Sequence, residues 1–155
     1  MADDFTIRGA EEFIRLSKAL KHAGQTELRK ELNRSLRAAA KPLIPKARAE
    51  ALRRLPSKGG LAKQVSKEPM RVQVRTGATT AGVRIVVGRK QGGARAANRG
   101  FIRHPVFGNR EVWVDQKVPA DWFDEPLTKS APEVRRALEG AMNDIAEQVV
   151  RDSRR

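Results

Sequence analysis

Arg71-Val-Gln-Val-Arg75 and, a short way downstream, Val83-Arg-Ile-Val-Val87 decide how this chain folds. In the first stretch Val72 and Val74 alternate with Arg71, Gln73 and Arg75. In the second, Val83, Ile85 and Val87 alternate with Arg84 and Val86. A period of two puts successive side chains on opposite faces, which is the pattern of a half-buried β-strand. Thr76-Gly77 between them is a turn signal. The pair therefore reads as a hairpin, with Val and Ile on its core face and Arg71, Arg75 and Arg84 on the other. Val112 and Val114 around Trp113 predict a further strand, closed by Pro119. Phe5-Thr-Ile-Arg8 predicts a short one at the start.

Outward from the strands the period changes to that of a helix. Phe13, Leu16 and Leu20 share one face of a predicted helix over 10–23, stopped by Gly24. Leu28, Leu32, Leu36, Ala39, Leu43 and Ala47 then step by three or four residues, with Thr26 as the expected N-cap. Pro42 and Pro45 interrupt this stripe, so a kink or break is expected within 40–46, and the helix should end near Leu55-Pro56. Residues 61–69 have no clear period. At the other end Val134, Leu138, Met142 (or Ala141), Ile145 and Val149 form the apolar face of a helix expected to start at Ser130, with Pro132 near its first position. The fold class that follows is α+β. A small, mainly antiparallel sheet is flanked by a long kinked helix in the N-terminal half and an amphipathic C-terminal helix. With 155 residues, a single domain over 1–155 is expected.

Charge is distributed unevenly. The chain carries a formal net charge of +14. Residues 51–110 hold 14 Lys and Arg against one acid, Glu68, whereas the flanks together hold 18 against 17. From Pro69 to Arg110 there is no acid at all. A one-signed stretch of this length implies a polyanionic partner or an acidic neighbouring subunit. The segment 88–111 lacks periodicity and is rich in Gly, Ala, Asn and Arg, so it reads as a long basic loop. It carries Arg89, Lys90, Arg95, Arg99, Arg103 and Arg110. These, with Arg71, Arg75 and Arg84 on the hairpin, are the candidate partner or DNA contacts.

Catalytic patterns are missing. There is no cysteine, which removes disulfides, thiolate metal sites and a Cys nucleophile. Of the two histidines, His22 sits at a charged helix end. His104 has no carboxylate near it in sequence to orient it as a base. Asp121, Asp124 and Glu125 cluster around Trp122-Phe123, and the simplest reading is a helix entry favoured by acids. Gly88-Arg-Lys-Gln-Gly-Gly93 lacks the spacing and the Lys-Ser/Thr of a phosphate loop. No metal, cofactor or catalytic residue is expected. The N-terminus has no signal-peptide pattern, and no apolar run approaches the roughly 20 residues of a membrane span.

The order of motifs resembles a known family. It runs from Gly9-Ala-Glu-Glu-Phe-Ile-Arg-Leu16, through Leu36-Arg-Ala-Ala-Ala-Lys-Pro42, Arg75-Thr-Gly77 and Val86-Val-Gly88. It continues with Arg103-His-Pro-Val-Phe-Gly-Asn109, Trp122-Phe123 and Glu125-Pro-Leu127, and ends in an amphipathic helix. Over nearly the whole chain this is similar to the tail-completion, or head–tail joining (neck), proteins of long-tailed bacteriophages, and to their actinobacterial-phage branch in particular. Many members carry a more acidic Glu-Phe-Gly-Thr version of the segment at Val106–Asn109. The resemblance implies a non-enzymatic virion protein, assembled in the host cytoplasm. It implies a ring, commonly a hexamer, acting as tail completion protein or tail terminator at the neck of a siphovirus. Its implied partners are further copies of itself, the head–tail connector or stopper, the tail tube, and double-stranded DNA in the lumen, with no membrane. Read from charge alone, the rival is a non-specific nucleic-acid-binding protein acting through its basic middle.

Overall fold

The computed structural model describes residues 4–7, 11–75, 82–88 and 93–154. The fold is α+β, with two small antiparallel sheets and a long C-terminal helix. Strand β1 (Asp4–Ile7) and helix α1 (Glu11–His22) open the chain. The long stripe of leucines and alanines becomes α2 (Thr26–Ala40) and α3 (Leu43–Arg54), broken where expected, at Lys41-Pro42. Pro42 cannot donate a backbone hydrogen bond to the turn before it. Pro45 is accommodated inside α3 because it falls in the first turn, where the N–H has no intrahelical acceptor anyway. Thr26 is the first helical residue of α2 rather than its cap. Gln25 occupies the cap position and makes no side-chain capping bond.

Residues without a readable period form α4 (Leu61–Ser66). The alternating stretches are β2 (Met70–Arg75) and β3 (Gly82–Val87). They are neighbours in a three-stranded sheet of order β1-β3-β2. Val83, Ile85, Val86 and Val87 are all buried, as suits a central strand. The expected continuous loop over 88–111 is overturned. Helix α5 (Gly93–Asn98) and strand β4 (Phe101–Val106) occupy half of it, and β5 (Asn109–Lys117) begins within it. Short side chains hid α5, since Ala94 and Ala97 bury too little to create an obvious apolar stripe. The strand predicted around Trp113 pairs with β4 in a separate two-stranded sheet. The C-terminal helix is also longer than expected. α6 runs unbroken from Asp124 to Ser153, with Ser130 and Pro132 inside it. Leu127, Val134, Leu138 and Ile145 are all buried along it, and an apolar stripe that continues through the proline keeps the helix whole at a local cost of about 3 kcal/mol. Asp124 and Glu125 lie in its first turn, as the cluster of acids implied.

The chain divides into two compact units. One comprises 5–42, 72–85 and 130–155. Its buried residues include Leu20, Leu28, Leu32 and Leu36 of the first helices, Val83 and Ile85 of β3, and Val134, Leu138 and Ile145 of α6. The other comprises 1–4, 43–71 and 86–129 and holds two large buried aromatics, Trp122 and Phe123. Their rings meet edge-on at 61° with centroids 5.6 Å apart.

In this second unit the start of α6 is tied to the end of α3. The Arg54 guanidinium bonds both Glu125 and Glu50, and Lys129 bonds Glu125 at 2.6 Å. Arg54 foremost, and Lys129 after it, hold the Glu125 carboxyl down to about 2, well below its usual range. A carboxylate depressed by folding stabilises above its unfolded pKa, near 4.5, and that contribution is lost as pH falls toward 2. Urea midpoints are therefore expected to drop between pH 4.5 and pH 2. Glu125→Gln should make that drop shallower. It should not abolish it, because Glu50 is also depressed, chiefly by Arg53. An unchanged pH slope in the variant would exclude this role for Glu125.

No helix among the described residues is long and apolar enough to cross a membrane.

Candidate interaction surface

Strands β4 and β5 build an antiparallel ribbon in which Phe101 faces Lys117, Arg103 faces Asp115 and Pro105 faces Trp113. At its tip Phe107 and Gly108 both have positive φ, 45° and 81°. This is the backbone twist of a two-residue hairpin turn, which glycine adopts freely and phenylalanine does not. Asn109 braces the turn by accepting the Glu111 N–H at 3.0 Å. Pro105 costs the ribbon nothing. Val118 donates to the Gly100 carbonyl at 2.9 Å, and that alternation makes Phe101, Arg103 and Pro105 the positions whose backbone groups face away from β5.

The ribbon is anchored at its base. Asn98, at the end of α5, is only 3% exposed. Its Oδ1 accepts the Phe123 N–H at 3.0 Å, its Nδ2 donates to Asp124 at 2.8 Å, and its carbonyl accepts the Asp121 N–H at 2.9 Å. At the other end of α5, Glu68 accepts the Ala94 N–H at 3.0 Å. The one acid of the basic middle is thus spent on a helix end. Gly88, at φ +72°, leaves room for it, since a Cβ there would lie 2.4 Å from Glu68 Oε2.

Beyond its base the ribbon is bare. All nine residues of β5 are exposed. Phe107 is fully exposed at the tip (104%), and Val112, Trp113 and Val114 are each 40–49% exposed. Solvated two-stranded ribbons are at best marginally stable alone, and apolar groups gathered on one exposed element mark an interaction site.

The nine basic residues singled out from sequence separate in the fold. Arg71 and Arg75 lie exposed on the edge strand β2, and Arg84 is half-buried on β3. Arg89 and Lys90 fall outside the described residues. Arg95 is half-buried on α5 and donates to the Val87 carbonyl at 3.3 Å, which makes it part of the scaffold. Arg99 is exposed just after α5. Arg103 lies 6.0 Å from the centre of the Trp113 ring, a cation–π contact. Arg110 is exposed, and its carbonyl accepts the Trp113 indole N–H at 2.7 Å. Only Arg103 and Arg110 join the ribbon, where Glu111 and Asp115 offset them. Charge drew attention to the arginines and away from Phe107, Val112, Trp113 and Val114. The signals that locate those four are the Phe-Gly-Asn turn and the Val-Trp-Val alternation.

His104 faces Val114 across the ribbon, and its Nδ1 lies 3.2 Å from the Pro105 carbonyl. Among the described residues no three His, Cys, Asp or Glu side chains gather to hold a metal ion. Comparison with protein-family models, curated proteins and solved structures finds no match to this chain.

Proposed function

We propose that this protein is a structural component of a bacteriophage virion. In this reading it forms a ring at the head–tail junction, as tail completion or terminator protein, and joins tail to head around the DNA channel. The observation that carries the reading is the bare ribbon. Its three cations, Arg103, Arg110 and Lys117, are nearly balanced by Glu111 and Asp115, and its exposed groups are aromatic and β-branched. Such a surface suits a protein partner better than a phosphate backbone, which selects for uncompensated Lys and Arg. The motif order described above supports the same assignment. The excess charge elsewhere in the middle segment then borders the lumen or meets acidic neighbours, and no catalytic step is proposed. Connector or stopper and tail tube lie on either side, and assembly takes place in the host cytoplasm.

The acid-free stretch from Pro69 to Arg110 favours the second reading, a non-specific nucleic-acid-binding protein acting alone. The two readings separate cleanly. Electron microscopy of the native particle is expected to show a ring of this chain at the neck. The isolated protein is expected to bind duplex DNA weakly. Tight binding by a monomer, with log affinity falling steeply with log salt and no ring in the particle, would replace the first reading with the second.

A further inference from the structure

The acidic counterpart of the basic edge strand lies on the ribbon of the same sequence. Strand β2 contains Arg71-Val-Gln-Val-Arg75 and β5 contains Glu111-Val-Trp-Val-Asp115. Each segment has charges at its first and fifth positions and valines at its second and fourth. Positions four apart on a regular strand share a face and lie about 13 Å apart, so the two charges of β2 are so spaced, and those of β5 match them in sequence, Glu111 lying in the bulge of that strand. Both strands are sheet edges, β2 of the order β1-β3-β2 and β5 of the ribbon. All four charged side chains are exposed. Among the described residues none of the four takes part in an ion pair.

Backbone direction makes the match specific. Gly88 donates to the Pro69 carbonyl at 2.9 Å. Carried along β2, that alternation turns the N–H and C=O of Val72 and Val74 to the open edge. On β5 the bond from Val118 to Gly100 turns those of Trp113 and Asp115 to its own open edge, while Glu111 and Val112 lie in the bulge that shifts the register between Pro105 and Val106. In a parallel ladder, a residue facing its neighbour strand bonds the two residues flanking its opposite number. Val72 then sits opposite Val112, Val74 opposite Val114, Arg71 opposite Glu111 and Arg75 opposite Asp115. The antiparallel alternative that aligns the same charges sets outward-facing residues against inward-facing ones and leaves the ladder unbonded.

We propose that β5 of one copy adds in parallel to the β2 edge of a second copy, in this register. The contact is heterologous. It leaves one β2 and one β5 free in every pair, so it repeats head to tail and closes into a ring if the rotation allows. Closure rests on the ring reading above, whereas the contact itself does not.

The chain has no cysteine, so introduced ones report cleanly. Val72→Cys and Val112→Cys chains, mixed and oxidised, are expected to form a disulfide-linked dimer. Val72→Cys mixed with Val114→Cys is expected to link at least tenfold less. Arg71→Glu/Arg75→Glu and Glu111→Arg/Asp115→Arg are each expected to weaken self-association at least tenfold in sedimentation, and mixing the two is expected to restore it. The proposal is overturned if the reversals associate as wild type does, or if mixing fails to restore association. It is also overturned by equal linking at 112 and 114, or by a wild-type chain that stays monomeric in sedimentation. Its failure, with a ring still present at the neck, would leave the ring reading standing. Linked chains in a particle without that ring would remove the ring reading alone.

Discussion

Trp122→Ala is expected to destabilise the protein by about 3–5 kcal/mol, the usual range for emptying a fully buried aromatic site. Trp122 has 0% exposure and packs edge-on against Phe123, so the lost volume cannot be filled from solvent without wetting a core. Trp122→Phe should cost far less, about 1–2 kcal/mol. The indole Nε1 is buried without a hydrogen-bond partner in the structure, so losing it removes no bond and relieves the burial of an unmatched donor. Urea unfolding followed by circular dichroism measures both. Equal losses for the two variants would mean that the indole N–H, not the ring volume, sustains this core.

Asn98→Ala is expected to cost about 2–4 kcal/mol. The substitution removes the acceptor of the Phe123 N–H and the donor to Asp124, leaving a buried amide without a partner. Asn98→Asp separates the two contributions. It preserves the bond from Phe123 but sets a carboxylate against that of Asp124, so its deficit should shrink as the pH is lowered and one of the pair takes up a proton. Because Asn98 also carries the Asp121 N–H on its carbonyl, the turn entering α6 should exchange its amide hydrogens faster in both variants. An Asn98→Ala protein as stable as wild type would show that the turn is held by packing of Trp122 and Phe123 alone.

Periodicity made the main elements legible before any coordinates. The alternation of Val72–Val74 and Val83–Val87, the leucine stripe broken at Pro42 and the acids at the start of α6 are local features, and each maps onto its element. Where the reading failed, long-range contacts decided. Gly93–Asn98 reads as loop because alanine and glycine show no periodic apolar face, yet Glu68, 26 residues away, caps it and Asn98 ties it to α6. Ser130 and Pro132 look like a helix start, yet the buried residues on both sides keep α6 continuous.

The candidate surface divides the same way. By itself the amino-acid sequence determined the charge of the middle segment, the α+β class and the matching patterns at Arg71–Arg75 and Glu111–Asp115, because charge and alternation are properties of neighbouring residues. Only the tertiary structure decided which cations are available. Arg95 is drawn into the scaffold by the Val87 carbonyl and Arg103 lies over Trp113. It also decided that, among the described residues, β2 and β5 are both edge strands. Exposure depends on what the rest of the chain covers, and no local pattern encodes what remains uncovered.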